Sequence, residues 1–270
     1  MYYNYSMDLF IVKVILSLII GIVWVVISTY IAERVSGKLG GLIVGLPSTA
    51  VISLLFVGLT QGVSAAVTAS AIVPYSSGFY CFFFVIFLLL TKKGFKIGLT
   101  SSLIVWCIFA FLTSKFPPHN LLESVIVWFV FVTSTIWWAV KKIHIDHKLI
   151  PKTIMGGPLW LKAVITGTVI GAIVVISKLA GPEWGGILAT FPALTVSTIL
   201  ITVKSGGVEF ARLIAKNVLI STTTTISIFA IFCYFLYPIT GIIAGTILSY
   251  IGLLIMSVPF YLLFFDKIKE

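Results

Sequence analysis

Charge is scarce in this chain. Asp, Glu, Lys and Arg make up only 10% of its 270 residues, against about 25% in soluble globular domains. A chain so depleted has no polar surface to offer water on every side, which excludes a soluble enzyme, a disordered segment and a nucleic-acid binder. Acids are scarcest. There are eight, Asp8, Glu33, Glu123, Asp146, Glu183, Glu209, Asp266 and Glu270, and none falls deep inside an apolar run. Intramembrane carboxylates are the usual carriers of protons and cations, so a proton-driven antiporter on the common plan is disfavoured, while sodium coupling through carbonyls and hydroxyls stays open. Cysteine is rare too. Cys81, Cys107 and Cys233 all sit in apolar stretches and read as small buried hydrophobes, with no disulfide set or metal knuckle. No Ser/His/Asp constellation, phosphate loop or acid pair is present, so neither an enzyme nor a bound cofactor is expected.

What is abundant is apolar: 60% hydrophobic and 14% aromatic residues, with a mean hydropathy of +1.18. A hydrocarbon core about 30 Å thick takes about 20 apolar residues per helix. Scanning for such runs predicts an all-α polytopic membrane protein with nine spans, over 9–31, 40–60, 64–91, 95–113, 121–140, 159–178, 186–203, 208–236 and 240–265. The first lacks a basic n-region and a small-residue cleavage site, and reads as a retained helix. Nine spans place the termini on opposite sides. All Lys and Arg except Lys13, Lys115 and Lys178 then fall on the side of the C-terminus, which the positive-inside rule makes cytoplasmic, with the N-terminus outside a plasma membrane. The net charge of +10 is thereby an orientation signal facing anionic head groups, and calls for no nucleic-acid partner.

The chain resembles itself at an offset of 145 residues. Gly40-Gly41-Leu42-Ile43-Val44-Gly45-Leu46-Pro47 returns as Gly185-Gly186-Ile187-Leu188-Ala189-Thr190-Phe191-Pro192, Val51 as Val196, and Gly62-Val63 as Gly207-Val208. The repeat divides the chain into a four-span unit over 1–118, a linker helix with a basic cytoplasmic loop over 119–158, and a second four-span unit over 159–270. One linker helix inverts the second unit. Loop charge agrees, since Lys92, Lys93 and Lys96 correspond to the uncharged 237–240 turn. Inverted repeats are the architecture of many secondary transporters; the competing explanation is a duplicated scaffold that merely packs.

Transporter sites lie near the bilayer midplane, where broken helices expose backbone groups. Pro47 and Pro192 each sit a few residues into a Gly-Gly-initiated span, and each leaves a carbonyl four residues back, Ile43 or Leu188, without its helical donor. Hydroxyls follow at once: Ser48, Thr49 and Ser53 in the first unit, Thr195, Ser197 and Thr198 in the second. A second pair of polar segments lies in the long spans. Ser221, Thr222, Thr223, Thr224 and Thr225 crowd the middle of 208–236, and Ser76 and Ser77 stand at the equivalent point of the first unit. Buried hydroxyls are costly unless they bond backbone, each other or a ligand. Pro47, Ser48, Thr49, Ser76, Ser77, Pro192, Thr195, Ser197, Ser221, Thr222 and Thr223 are therefore the expected substrate-binding residues, for a small polar solute, an ion or a lipid head group moved by alternating access. A non-transporting structural or regulatory subunit is the alternative, and a homodimer is compatible with either. His144, Asp146 and His147 bring two imidazoles and a carboxylate together, but their spacing matches no defined zinc pattern and a solvated basic loop accounts for them. No metal is expected.

The stretch Ala32-Glu33-Arg34 through Gly40-Gly41 to Pro47-Ser48-Thr49, ending in Gln61-Gly62, resembles the signature of small prokaryotic membrane proteins of the GlpM-like kind. Those look like single four-helix units with a Gly-Leu-x-x-x-Phe/Leu-Pro segment, and this chain looks like two of them fused. The second copy departs by carrying Lys178 and Glu183 where the first has Glu33 and Lys38. The resemblance implies a fold and supplies no activity.

Overall fold

Apolar side chains on every face leave a helix with no wet side, and in hydrocarbon each backbone N–H and C=O must be bonded within its own segment. The computed structural model accordingly consists of helices and their connections. It describes residues 2–34, 46–143 and 159–269, and no strand occurs among them. The order is α1 Tyr2–Arg34, α2 Ser48–Gln61, α3 Val63–Leu90, a 3₁₀ turn Thr91–Lys93, α4 Phe95–Lys115, α5 Leu121–Lys142, α6 Leu159–Ala180, α7 Pro182–Ala189, α8 Ala193–Thr240 and α9 Ile242–Lys269.

Among the described residues, seven helical stretches are long and apolar enough to cross a bilayer, over 8–28, 63–93, 95–115, 121–142, 159–180, 182–204 and 206–240. Two further apolar helical stretches, Ser48–Gln61 and Ile242–Ser257, are shorter. At 1.5 Å per residue α2 reaches about 21 Å, short of a full crossing. Large apolar side chains point outward from the outer helices, Ile104, Ile108 and Phe111 on α4 and Ile126, Phe129 and Trp137 on α5. A contiguous apolar exterior of this kind fits lipid and not water. The protein is a multi-pass membrane protein.

Two glycines end one helix and start the next. Gly62 (φ 93°, ψ 175°) separates α2 from α3, and Gly207 (φ 80°, ψ −179°) bends α8 at the position 145 residues later. Both adopt a backbone region essentially closed to residues with a Cβ, so the shared Gly-Val of the sequence marks a shared corner. The Gly-Gly pair has a different cause. A Cβ on Gly186 would lie 2.2 Å from the Ala69 carbonyl oxygen, so α7 approaches the α3 backbone as closely as a missing side chain allows.

Helix packing follows the same pairing. Val14, Leu18 and Ile22 of α1 meet Gly171 and Gly167 of α6 in reverse order, which makes the two helices antiparallel. On α3 and α8, Ser77 Oγ donates to the Thr223 carbonyl at 2.9 Å while Leu88 accepts from Arg212 at 3.2 Å, so these run antiparallel too. The helix α5 is locked against both, for Trp128 Nε1 donates to that same Thr223 carbonyl at 3.0 Å and the Trp128 backbone lies against Gly78. Its N-terminus is capped locally. Asn120 accepts from the Glu123 N–H at 2.9 Å, and the Glu123 carboxylate accepts from the His119 N–H at 2.8 Å. Two basic side chains on α8 serve carbonyls at helix C-termini: Arg212 reaches Leu88 near the end of α3, and Lys216 reaches Ile143 at the end of α5 at 2.7 Å.

Candidate functional site

The break at Pro192 is real and local. α7 ends at Ala189, and α8 begins at Ala193 with Pro192 as its N-cap (φ −77°, ψ 39°). Pro47 caps α2 in nearly the same conformation (φ −81°, ψ 56°). Around each proline the short-range bonds correspond: Ser48 N–H to Leu46 O and Ala193 N–H to Phe191 O, both 2.8 Å, then Val51 N–H to Pro47 O at 2.9 Å and Val196 N–H to Pro192 O at 2.7 Å. Neither helix start has a side-chain cap.

Both starts open on one cavity of about 40 Å³, walled by residues 46–50, by Ala189, Thr190, Phe191, Leu194, Thr195 and Thr198, by Tyr80 of α3, and by Ile214, Val218, Thr222 and Ile226 of α8. That is room for a few waters or one small ion. Among the described residues its lining carries no charged side chain. Tyr80 and Thr195 share a hydrogen bond across it at 2.9 Å, and Thr190 Oγ1 donates back to Ile187 O at 2.8 Å. The hydroxyls of Ser48, Thr49, Thr198 and Thr222 have no hydrogen-bond partner among the described residues.

The structure thus brings Pro47, Ser48, Thr49, Thr195 and Thr222 together and leaves the other expected residues elsewhere. Pro192 is buried at the α8 cap beside the cavity, outside its wall. Ser197 turns back to Leu194 O at 2.9 Å. Ser221 bonds Asn217 O at 3.1 Å and Thr223 Oγ1 bonds Leu219 O at 2.5 Å, both four residues back along their own helix. Ser77 is tied to Thr223 O. Ser76, buried and unbonded, lines a smaller neighbouring cavity of about 10 Å³ with Thr113, Tyr80 and Thr190. The carbonyl that Pro192 frees on Leu188 is taken by the Phe191 N–H at 2.9 Å. Ile43 lies outside the described residues, as do His144, Asp146 and His147; no cluster of metal-ligating side chains occurs among the described ones. Cys81 and Cys233 are buried, whereas Cys107 is exposed on the outer face of α4. Tyr80 was not anticipated as part of a site: its hydroxyl sits in the middle of an aromatic run, where the run reads as core until the fold shows what lies opposite.

A family model described as a protein of unknown function (DUF3147) matches residues 14–117, the stretch from the first turns of α1 to just past the end of α4. The chain is similar to that family over this part. The match does not single out GlpM-like proteins by name. No curated protein and no solved structure matches the chain.

Proposed function

We propose that this protein is a transporter built from two inverted four-helix units joined by α5, with nine spans when α2 and α9 are counted, and that it moves a small polar solute or ion by alternating access around the cavity at Pro47. The observation that carries the reading is the convergence of two uncapped helix starts, from positions 145 residues apart, on one cavity where four lining hydroxyls, those of Ser48, Thr49, Thr198 and Thr222, have no partner among the described residues. Antiparallel packing of the corresponding helices α1 with α6 and α3 with α8 supports the inversion. So do the matching corners at Gly62 and Gly207, and a family match that ends where the first unit ends. Tyr80 and Thr222 lie near the middle of their helices, which favours a site at mid-depth. The N-terminus outside and C-terminus inside follow from the basic loops.

The alternative, a structural or regulatory subunit, has its own support in Ser221, Thr223 and Ser77, whose bonds to carbonyls are those of packed helices. The two separate by access. In a background with Cys81, Cys107 and Cys233 replaced, single cysteines at Thr222 and Ser48 should react with a membrane-impermeant thiol reagent applied from either face of sealed vesicles, because alternating access opens the same cavity to each side in turn. Labelling from neither face, in chains shown to be folded, would leave the subunit reading standing.

A further inference from the structure

Among the described residues the helix starts at Pro47 and Pro192 leave more donors free than acceptors. At the end of α7 the Leu188 carbonyl accepts from the Phe191 N–H at 2.9 Å, and the Ile187 carbonyl accepts both the N–H (3.2 Å) and the hydroxyl (2.8 Å) of Thr190. The Ala189 and Thr190 carbonyls, also on the cavity wall, accept no hydrogen bond among the described residues, and a larger set of groups stays unsatisfied just after each proline. A helix start leaves its first N–H groups without acceptors, and here Thr49, Ala50, Leu194 and Thr195 have no backbone acceptor among the described residues, while all four residues line the cavity. Each helix start also carries the equivalent of roughly half a positive charge. Beside them the hydroxyls of Ser48 and Thr49, residues only 3% and 8% exposed, face the same space without a partner. Burying polar groups unbonded is costly, so an arrangement of this kind makes sense around something that accepts hydrogen bonds.

From this we infer that the cavity binds a small monovalent inorganic anion, of the size of chloride or nitrate. A cation would meet two positive helix ends against one negative end, that of α7 at Ala189, with no acid in the described lining. An anion meets N–H donors from two directions and hydroxyls free to turn their protons inward. Two positive half-charges less the negative half-charge at the end of α7 leave about half a positive unit, which fits a monovalent ion better than a divalent one. The volume of about 40 Å³ accepts such an ion. The net charge of +10 raises the local concentration of anions at the protein. The inference rests on the transport reading for movement across the membrane, although binding is measurable by itself.

The test is thermal unfolding of the full chain, purified and held in nanodiscs of neutral lipid, at constant ionic strength in sodium chloride, sodium nitrate, sodium gluconate or choline chloride. Chloride and nitrate should stabilise saturably, whichever cation accompanies them, and gluconate should not. Ser48→Ala combined with Thr49→Val should weaken the apparent Kd about tenfold, as loss of hydrogen bonds to a charged group does, while Ser221→Ala, whose hydroxyl is bonded to its own helix, should leave it unchanged. If the double variant does not fold, Ser48→Ala alone serves, with a smaller shift in the same direction. Stabilisation that follows the cation, that is equal in all anions, or that ignores the Ser48 and Thr49 changes would overturn the proposal. Two-sided labelling at Thr222 with no anion response would reject the anion and keep the transporter. Saturable anion binding with labelling from one face or neither would keep the anion site and reject alternating access.

Discussion

The hydroxyl of Tyr80 lies 2.9 Å from that of Thr195, and this single bond joins the middle of α3 to the start of α8 across the wall of the cavity. Both residues are buried. Tyr80→Phe removes one partner and leaves Thr195 facing the cavity, and it should cost about 1 kcal/mol of stability, the ordinary net value of such a bond. Thr195→Val should cost a similar amount. The double variant should cost less than the two together, since the second change removes a bond already lost. Thermal unfolding of the four chains in one detergent checks the cycle; strict additivity would mean that the bond contributes nothing.

Glycine substitutions should divide by cause. Gly62→Ala and Gly207→Ala place a Cβ in open space but demand a backbone conformation reserved for glycine, so each should destabilise by about 1–3 kcal/mol and by similar amounts. Gly186→Ala acts by collision with the Ala69 carbonyl, forcing α7 off α3. It should lower yield of folded protein in size-exclusion chromatography more than either corner variant does.

Arg212 and Glu209 should respond unequally. The guanidinium is buried, with Nη1 2.7 Å from the Glu209 carboxylate and Nη2 on the Leu88 carbonyl, whereas Glu209 is half exposed. Glu209→Gln leaves a buried cation without its counter-charge, but Arg212→Met leaves a carboxylate that water can reach. Glu209→Gln should therefore lower the unfolding temperature more than Arg212→Met, and the reverse order would show that the Leu88 contact dominates.

The Thr223 carbonyl accepts from Ser77, from Trp128 and from Ser227. Trp128→Phe should loosen the linker helix α5 from α8 while keeping most of its packing, at a cost of about 1 kcal/mol. Hydrogen exchange should rise along α5 with little change in α1, which packs mainly on α6 and α2.

Orientation has a direct readout. Single cysteines in the 92–96 and 204–212 stretches should both label only from the cytoplasmic face, because the basic side chains concentrated there are retained on that side. Labelling of the two from opposite faces would break the inverted arrangement.

The helices were legible because bilayer-length apolar runs leave the backbone no other way to bond itself. The helix start at Pro47 and the break at Pro192 were legible for a similar reason, since a proline removes a donor wherever it falls. Which hydroxyls face a cavity was not. Ser221, Thr222 and Thr223 are neighbours of identical chemistry, yet Thr222 lines the cavity while Ser221 and Thr223 bond carbonyls a turn back. Successive helical residues point about 100° apart, and the chain order does not say which direction holds a neighbour.

The sequence by itself determined a charge-poor helical membrane protein, a Gly-Gly-x5-Pro frame used twice, and the bias of basic residues toward one set of loops. These depend on local chemistry: apolar content, the missing N–H of proline and the missing Cβ of glycine. Only the tertiary structure decided that the two helix starts share one cavity, that Tyr80 closes part of it, and that free N–H groups from both starts border it. Those facts depend on which helices touch, and Leu188, left without a donor on paper, found one in the folded chain at Phe191.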